Sequence, residues 1–138
     1  MPLGHLGINV SDLERSRAYY NRLLPLLEFE RFLDHHDEFA WRPAGGKSGT
    51  YLFFYPAARL GAQGHEQAGL QHLAFMVRTR AVVDQVRDLA AELGSPIVHE
   101  PKEWPEYPPP YYATFWQDPD GFLLEAVCHA SPERELNS

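Results

Sequence analysis

Residues 5–10, His5-Leu6-Gly7-Ile8-Asn9-Val10, and residues 72–77, His72-Leu73-Ala74-Phe75-Met76-Val77, share one pattern 67 positions apart. Both read His-Leu-small-apolar-x-Val. In the first copy Leu6, Ile8 and Val10 alternate with His5, Gly7 and Asn9, the period of a half-buried strand. The residues after each copy are alike too. Ser11-Asp12-Leu13-Glu14 places a glutamate three residues after a serine, a capping box that opens a helix. Ser16, Tyr20, Leu23 and Leu27 fall on one face of it, and Pro25 predicts an end at Leu24. After the second copy Thr79 can cap a helix from Arg80, with Val82, Val83, Val86, Leu89, Ala90 and Leu93 on one face and Gly94 to end it. The helix faces correspond at an offset of 66, as a connecting turn shorter by one residue requires.

Strands alone come after each helix. In the first half these are Glu28 to Leu33, Glu38 to Arg42 and Thr50 to Tyr55, separated by His35-His36-Asp37 and by Pro43-Ala44-Gly45-Gly46-Lys47. In the second they are Pro96 to His99, Tyr111 to Gln117 and Phe122 to Val127, the last two joined by a turn at Asp118-Pro119-Asp120-Gly121. The chain therefore reads as a duplicated strand-helix-strands unit. One domain over 1–130 is expected, with module 1 at about 4–55, a Gly/Ala/Gln-rich linker at 56–68, module 2 at about 69–128 and a flexible tail at 131–138. Pro101 to Pro110 is extended and cannot be a central strand, because proline donates no hydrogen bond. It is either a rigid loop or, through Trp104 and Tyr107, an aromatic rim over a pocket.

Length and charge narrow the function classes. With 138 residues and 15.8 kDa, area scaling gives about 7,300 Å² folded against about 23,000 Å² unfolded, enough for one sizeable core. A single cysteine, Cys128, excludes an intrachain disulfide framework and a cysteine-rich zinc site. A formal charge of -7 argues against a phosphate-tracking nucleic-acid surface and against a polybasic membrane patch. No apolar run approaches the roughly 18 residues of a membrane span, and Met1-Pro2-Leu3-Gly4 lacks the basic start of a signal peptide. The expectation is a soluble cytoplasmic protein that meets neither nucleic acid nor membrane.

The repeated histidines carry the chemistry. A lone histidine on a strand is ordinarily structural, but His5 and His72 hold equivalent places of a repeat. Packing of the halves about a pseudo-twofold axis, first strands adjacent, would aim both imidazoles into one concavity. Glu125 sits alone in the apolar run Gly121-Phe122-Leu123-Leu124-Glu125-Ala126-Val127. It is either salt-bridged, turned outward, or buried at a cost that a cation would remove. Two neutral imidazoles and a carboxylate are a facial ligand set for a divalent metal ion (Fe, Mn, Zn, Ni or Co), with positions left open for substrate or water.

These residues resemble the vicinal oxygen chelate superfamily, which includes glyoxalase I, extradiol dioxygenases, fosfomycin-resistance enzymes and bleomycin-resistance proteins. The resemblance rests on three stretches and covers Gly4 to about Cys128. They are His5 with the Val-Ser-Asp-Leu-Glu-Arg-Ser helix start, Gln71-His72-Leu73-Ala74-Phe75, and Phe115-Trp116-Gln117-Asp118-Pro119-Asp120-Gly121-Phe122-Leu123-Leu124-Glu125. It implies an α+β fold of two βαβββ modules forming a cupped mixed sheet, helices outside and a divalent metal inside, held by His5, His72 and Glu125. It also implies a homodimer, in which the metal site lies within one chain or mixes ligands from two. A monomeric sedimentation profile at micromolar concentration would count against that assembly.

The chain departs from its relatives in two places. Where glyoxalase I carries a further ligand on the last strand of its first module, this chain has Leu52 or Phe53, depending on how the repeat is aligned. Neither binds a metal, which disfavours glutathione-linked isomerisation. Where extradiol enzymes tend to carry a tyrosine, Phe115 stands here, with Tyr111 four residues earlier on the same strand face.

The expected function is a divalent-metal-dependent enzyme of the glyoxalase/dioxygenase type, acting on a small molecule with vicinal oxygens by isomerase, lyase, transferase or dioxygenase chemistry. The alternatives are a non-catalytic sequestration protein of the bleomycin-resistance type and a structural metal locking the modules together. Asn9, Phe53, Tyr111 and Phe115 are the candidate substrate-binding residues. Asn9 could equally face solvent, and Tyr111 is a proton donor, a substrate clamp or plain packing. His99-Glu100 is an outside candidate for a general base. His35-His36 reads as a solvated turn, and His65-Glu66 and His129 are given no role.

Overall fold

The computed structural model describes residues 3–60 and 68–131. The His65-Glu66 pair, most of the expected linker and all but the first residue of the expected tail lie outside them. The chain divides into two compact units, 1–62 and 63–138, and each is a strand, a helix and three further strands.

In unit 1, β1 (His5–Val10) leads to α1 (Leu13–Leu23), a 3-10 turn (Leu24–Leu27), β2 (Phe29–His35), β3 (Glu38–Pro43) and β4 (Tyr51–Pro56). The sheet order is β1-β4-β3-β2, with β1 parallel to β4 and the other pairs antiparallel. Tyr20 of α1 packs on Phe54 and the Arg17 guanidinium covers Phe39, so α1 lies on the face that carries Phe39, Leu52 and Phe54. The opposite face presents His5, Phe32, Tyr51 and Phe53, whose rings touch one another.

The helix start corrects the capping-box expectation. The N-cap is Asp12, whose carboxylate accepts from the Arg15 N–H at 3.1 Å. Ser11 lies one residue too early and instead accepts from the Arg15 guanidinium. Asp12→Ala should therefore cost about 1 kcal/mol in denaturant unfolding and Ser11→Ala only a few tenths. Equal costs would return the cap to Ser11. At the other end Pro25 fits the early turn of a 3-10 segment, which needs no N–H there. The chain thus tightens through Leu27 and turns at Glu28, where φ is 64°.

Unit 2 repeats the plan with β5 (Leu73–Val77), α2 (Arg80–Glu92), β6 (Ile97–Glu103), β7 (Tyr112–Gln117) and β8 (Leu123–Cys128) in the order β5-β8-β7-β6. The Thr79 hydroxyl accepts from the Val82 N–H, as its position predicts. Gly94, at φ 89°, closes the helix with Gly94 N–H to Ala91 O at 3.0 Å and Ser95 N–H to Ala90 O at 2.9 Å. That pair of bonds is a Schellman motif, and only glycine adopts its left-handed residue without strain. α2 packs on the sheet with Val83, Val86 and Ala90 buried, and Asp84 accepts from the Tyr112 hydroxyl. Trp116, Thr114 and Leu124 are buried on that same parity of β7 and β8.

The proline segment is shorter than expected. β6 runs through Pro101 to Glu103, four residues past His99. An edge strand tolerates this, because a missing N–H need not face a neighbour. The register with β7 slips between His99 and Lys102, which is where Pro101 sits.

Candidate functional site

β8 is buried at every position, and Glu125 is the one charged residue within it. Its register fixes its surroundings. Ala74 of β5 lies opposite on one side and Phe115 of β7 on the other. Glu125 therefore shares a face with Ala113, Phe115, Leu123 and Val127, a hydrophobic cluster against which Trp104 and Tyr111 pack. Its side chain is 1% exposed.

Among the described residues two side chains meet this carboxylate. The Tyr111 hydroxyl donates to Oε2, and His72 Nε2 stands 3.1 Å from Oε1. The Gln71 side-chain carbonyl lies against His72 Nδ1, the place of an acceptor for Nδ1–H. With the proton there, Nε2 turns its lone pair on a carboxylate oxygen, and the two repel unless a proton or a cation lies between them. The donor set thus fits a divalent ion: an imidazole nitrogen oriented by an outer acceptor, facing a buried carboxylate in an apolar wall. Within neither unit do three His, Cys, Asp or Glu side chains gather at one point among the described residues.

Burial raises the Tyr111 phenol above its ordinary pKa, followed by its hydrogen bond to Glu125, that carboxylate's charge and, last, Tyr107. The phenol keeps its proton at neutral pH and serves as a donor. Tyr111 thus holds a defined position against Glu125, while β7 itself begins one residue later. Phe115 forms the aromatic wall, 5.8 Å from the His72 ring and 5.4 Å from His99. His99 also meets Trp104 edge-on at 5.0 Å. It belongs to that wall, and neighbouring Glu100 pairs with Arg87 instead.

The same register places the remaining candidates in unit 1. Phe53 lies opposite Gly7 as Glu125 lies opposite Ala74, so Phe53, not Leu52, is the counterpart of Glu125. His5 accordingly packs on the Phe53 ring at 5.3 Å, where His72 meets a carboxylate. Asn9 is on the His5 face of β1, opposite Tyr55. His35, read from sequence as part of a solvated turn, is the exposed last residue of β2, and its carbonyl accepts from Arg17.

Two residues of the unit 2 site are missed by sequence reasoning: Gln71, which stands against His72, and His129, which packs on Tyr111 at 5.1 Å. Trp104, one of the two aromatic-rim candidates, packs against the cluster. Only Gln71, adjacent to a candidate ligand, leaves a signal in the chain.

Two modules of this order, each led by a histidine at its first strand, with a carboxylate on the last strand of the second, define a class. The chain belongs to the Glyoxalase/Bleomycin resistance protein/Dioxygenase superfamily, whose family model matches residues 3–126. It is 28% identical over 126 residues to the uncharacterized protein YqjT of Bacillus subtilis (strain 168), covering 89% of this chain and 95% of that one. A glyoxalase-like protein from Bacillus halodurans superposes with a TM-score of 0.78 at 30% identity, covering 91% and 94% of the two chains. A lactoylglutathione lyase from Agrobacterium tumefaciens shares the fold, with a TM-score of 0.61, 20% identity and coverage of 91% and 92%. No helix among the described residues is long and apolar enough to cross a membrane.

Proposed function

We propose that this protein is a divalent-metal-dependent enzyme acting on a small molecule with two adjacent oxygens. The observation that carries the reading is the Glu125 carboxylate, buried in an apolar strand with His72 Nε2 3.1 Å away. A protein does not keep a charge there for stability, since an apolar side chain of similar volume would serve better. His72 and Glu125 would hold the ion. His5 is the third ligand by its place in the repeat, from this chain or from a second copy. When bound, such an ion stabilises negative charge developing on substrate oxygens.

The chain's own residues do the rest. Tyr111 holds Glu125 in one orientation through its Oη–H and keeps that proton at neutral pH. Gln71 fixes the His72 ring. Phe115, Trp104 and Ala113 exclude water from the carboxylate's apolar side and so strengthen each electrostatic contact within it. Phe53 leaves unit 1 without a ligand at the equivalent point, so the protein supplies three donors and leaves the other positions to substrate.

Metal content per chain, measured by elemental mass spectrometry, tests this. Near-stoichiometric metal is expected in the wild type and its loss in both His72→Ala and Glu125→Ala. Iron would direct assays to oxygen chemistry, and zinc, nickel, cobalt or manganese to isomerase, lyase or transferase chemistry. A wild type that carries no metal and takes up none of these ions when supplied would overturn the proposal in favour of small-molecule sequestration.

A further inference from the structure

A cavity of about 390 Å³ opens in unit 2 beside the proline segment. Trp104, Pro109, Pro110 and Tyr111 wall it, and Arg80 and Glu103 contribute to its lining. Its size falls within the roughly 300–1,000 Å³ of small-molecule sites. Tyr111 serves two places at once, since it lines this cavity while its hydroxyl donates to Glu125. A molecule in the cavity lies one phenol away from the buried carboxylate.

The walls are preformed. Trp104 N–H donates to Tyr111 O at 2.9 Å and Tyr107 N–H to Trp104 O at 3.2 Å, closing the segment on itself. The Trp104 indole N–H is anchored on Ala113 O at 3.2 Å, and Tyr107 leans on Tyr111 with centroids 4.7 Å apart. Prolines fix their own φ. Flat, stiff aromatic and prolyl surfaces hold a planar apolar body with little ordering on binding.

Arg80 and Glu103 are the charged residues of the lining, and Lys102 Nζ lies over the Trp104 ring, 4.1 Å from its centroid. The Arg80 guanidinium lies 4.9 Å from the Tyr112 ring centroid and donates to Glu103 Oε1 at 2.9 Å. In that pair the Arg80 side chain is 20% exposed and the Glu103 side chain 69%. The guanidinium is the anchored member, and the carboxylate is the solvent-facing one that another anion can replace.

We propose that this cavity is a subsite for a planar aromatic group bearing a carboxylate. Arg80 binds the carboxylate in place of Glu103, and Trp104, the prolines and Tyr111 hold the ring. The subsite stands without the metal. Its extension to the substrate, an aromatic carboxylate with its adjacent oxygens toward Tyr111, rests on the function proposed above.

The test is calorimetric titration of the EDTA-treated full chain with 2-naphthoate and with the uncharged 2-naphthalenemethanol. Naphthoate should bind saturably and about tenfold tighter than the alcohol. Arg80→Gln should remove that preference, and Glu103→Gln, which removes the carboxylate that competes for Arg80, should tighten naphthoate several-fold. Glu103→Gln alters only an exposed side chain, so it decides the matter even where Arg80→Gln does not fold. Absence of saturable binding at millimolar probe, equal affinity for the two probes, or no tightening in Glu103→Gln would overturn the subsite. Because no metal is present, failure of the metal centre leaves this result untouched and appears only in the metal-content measurement.

Discussion

Glu125→Gln is expected to raise the thermal stability of the metal-free protein and to lower it relative to wild type once metal is added. In the metal-free chain the carboxylate is 1% exposed, and among the described residues the Tyr111 hydroxyl is the one side chain that donates to it, while His72 Nε2 faces it at 3.1 Å. Glutamine keeps the shape and can accept from Tyr111 and donate to His72 Nε2 while carrying no charge. Removing a buried charge in this way is worth about 1–3 kcal/mol. For a chain of this length that is a rise of several degrees in Tm, on the order of 3–4 °C per kcal/mol. Added metal stabilises only the form that binds it, by RT ln(1 + [L]/Kd). The wild-type Tm should therefore climb with metal concentration while that of Glu125→Gln stays flat, and the two should cross. Differential scanning fluorimetry over a metal titration reads both effects. A metal-free Glu125→Gln protein less stable than wild type would mean that Glu125 is a structural ion-pair partner of His72.

Phe54→Ala should cost about 3–5 kcal/mol, the effect of emptying a full aromatic site. Phe54 is fully buried, stacked on Phe39 at 4.6 Å with planes 9° apart, and in contact with Tyr20 of α1 at 4.5 Å. Its neighbour Phe53 points to the other face of the sheet and is half-buried, touching His5, Phe32 and Tyr55. Phe53→Ala should cost about 1–2 kcal/mol, since it removes less buried area and leaves no closed cavity. Urea unfolding of the two variants compares them. The contrast bears on function, because a strand shifted by one residue exchanges its faces. A larger loss for Phe53→Ala would put Leu52, not Phe53, opposite Gly7 and undo the correspondence of Phe53 with Glu125.

The duplication is legible in the chain because both periods are strong locally. Leu6, Ile8 and Val10 alternate, and Val83, Val86 and Ala90 recur at helical spacing, so the faces they bury are readable without any knowledge of packing. Thr79 and Gly94 announce their ends of α2 by chemistry confined to one turn. The α1 cap is misread from sequence because Ser11 and Asp12 are both good caps in adjacent places, and only the backbone at Asp12 (φ -136°, ψ 101°) decides between them. β6 reads too short because proline breaks a central strand, and only the sheet order shows that β6 lies at an edge.

The candidate site divides in the same way. The sequence alone marks His5, His72 and Glu125, because a repeat and a lone carboxylate in an apolar run are one-dimensional signals. It leaves open whether Leu52 or Phe53 answers Glu125, because alignment of a repeat tolerates a slip of one and hydrogen-bonded register does not. Only the tertiary structure sets Phe53 opposite Gly7, brings the Tyr111 hydroxyl to Glu125 from fourteen residues away, and lays Gln71 against His72. It also gathers Arg80, Trp104 and the prolines around one cavity. Local periodicity fixes which face of an element is buried. Which side chains meet on that face depends on strand register and on contacts distant in sequence, which no local pattern encodes.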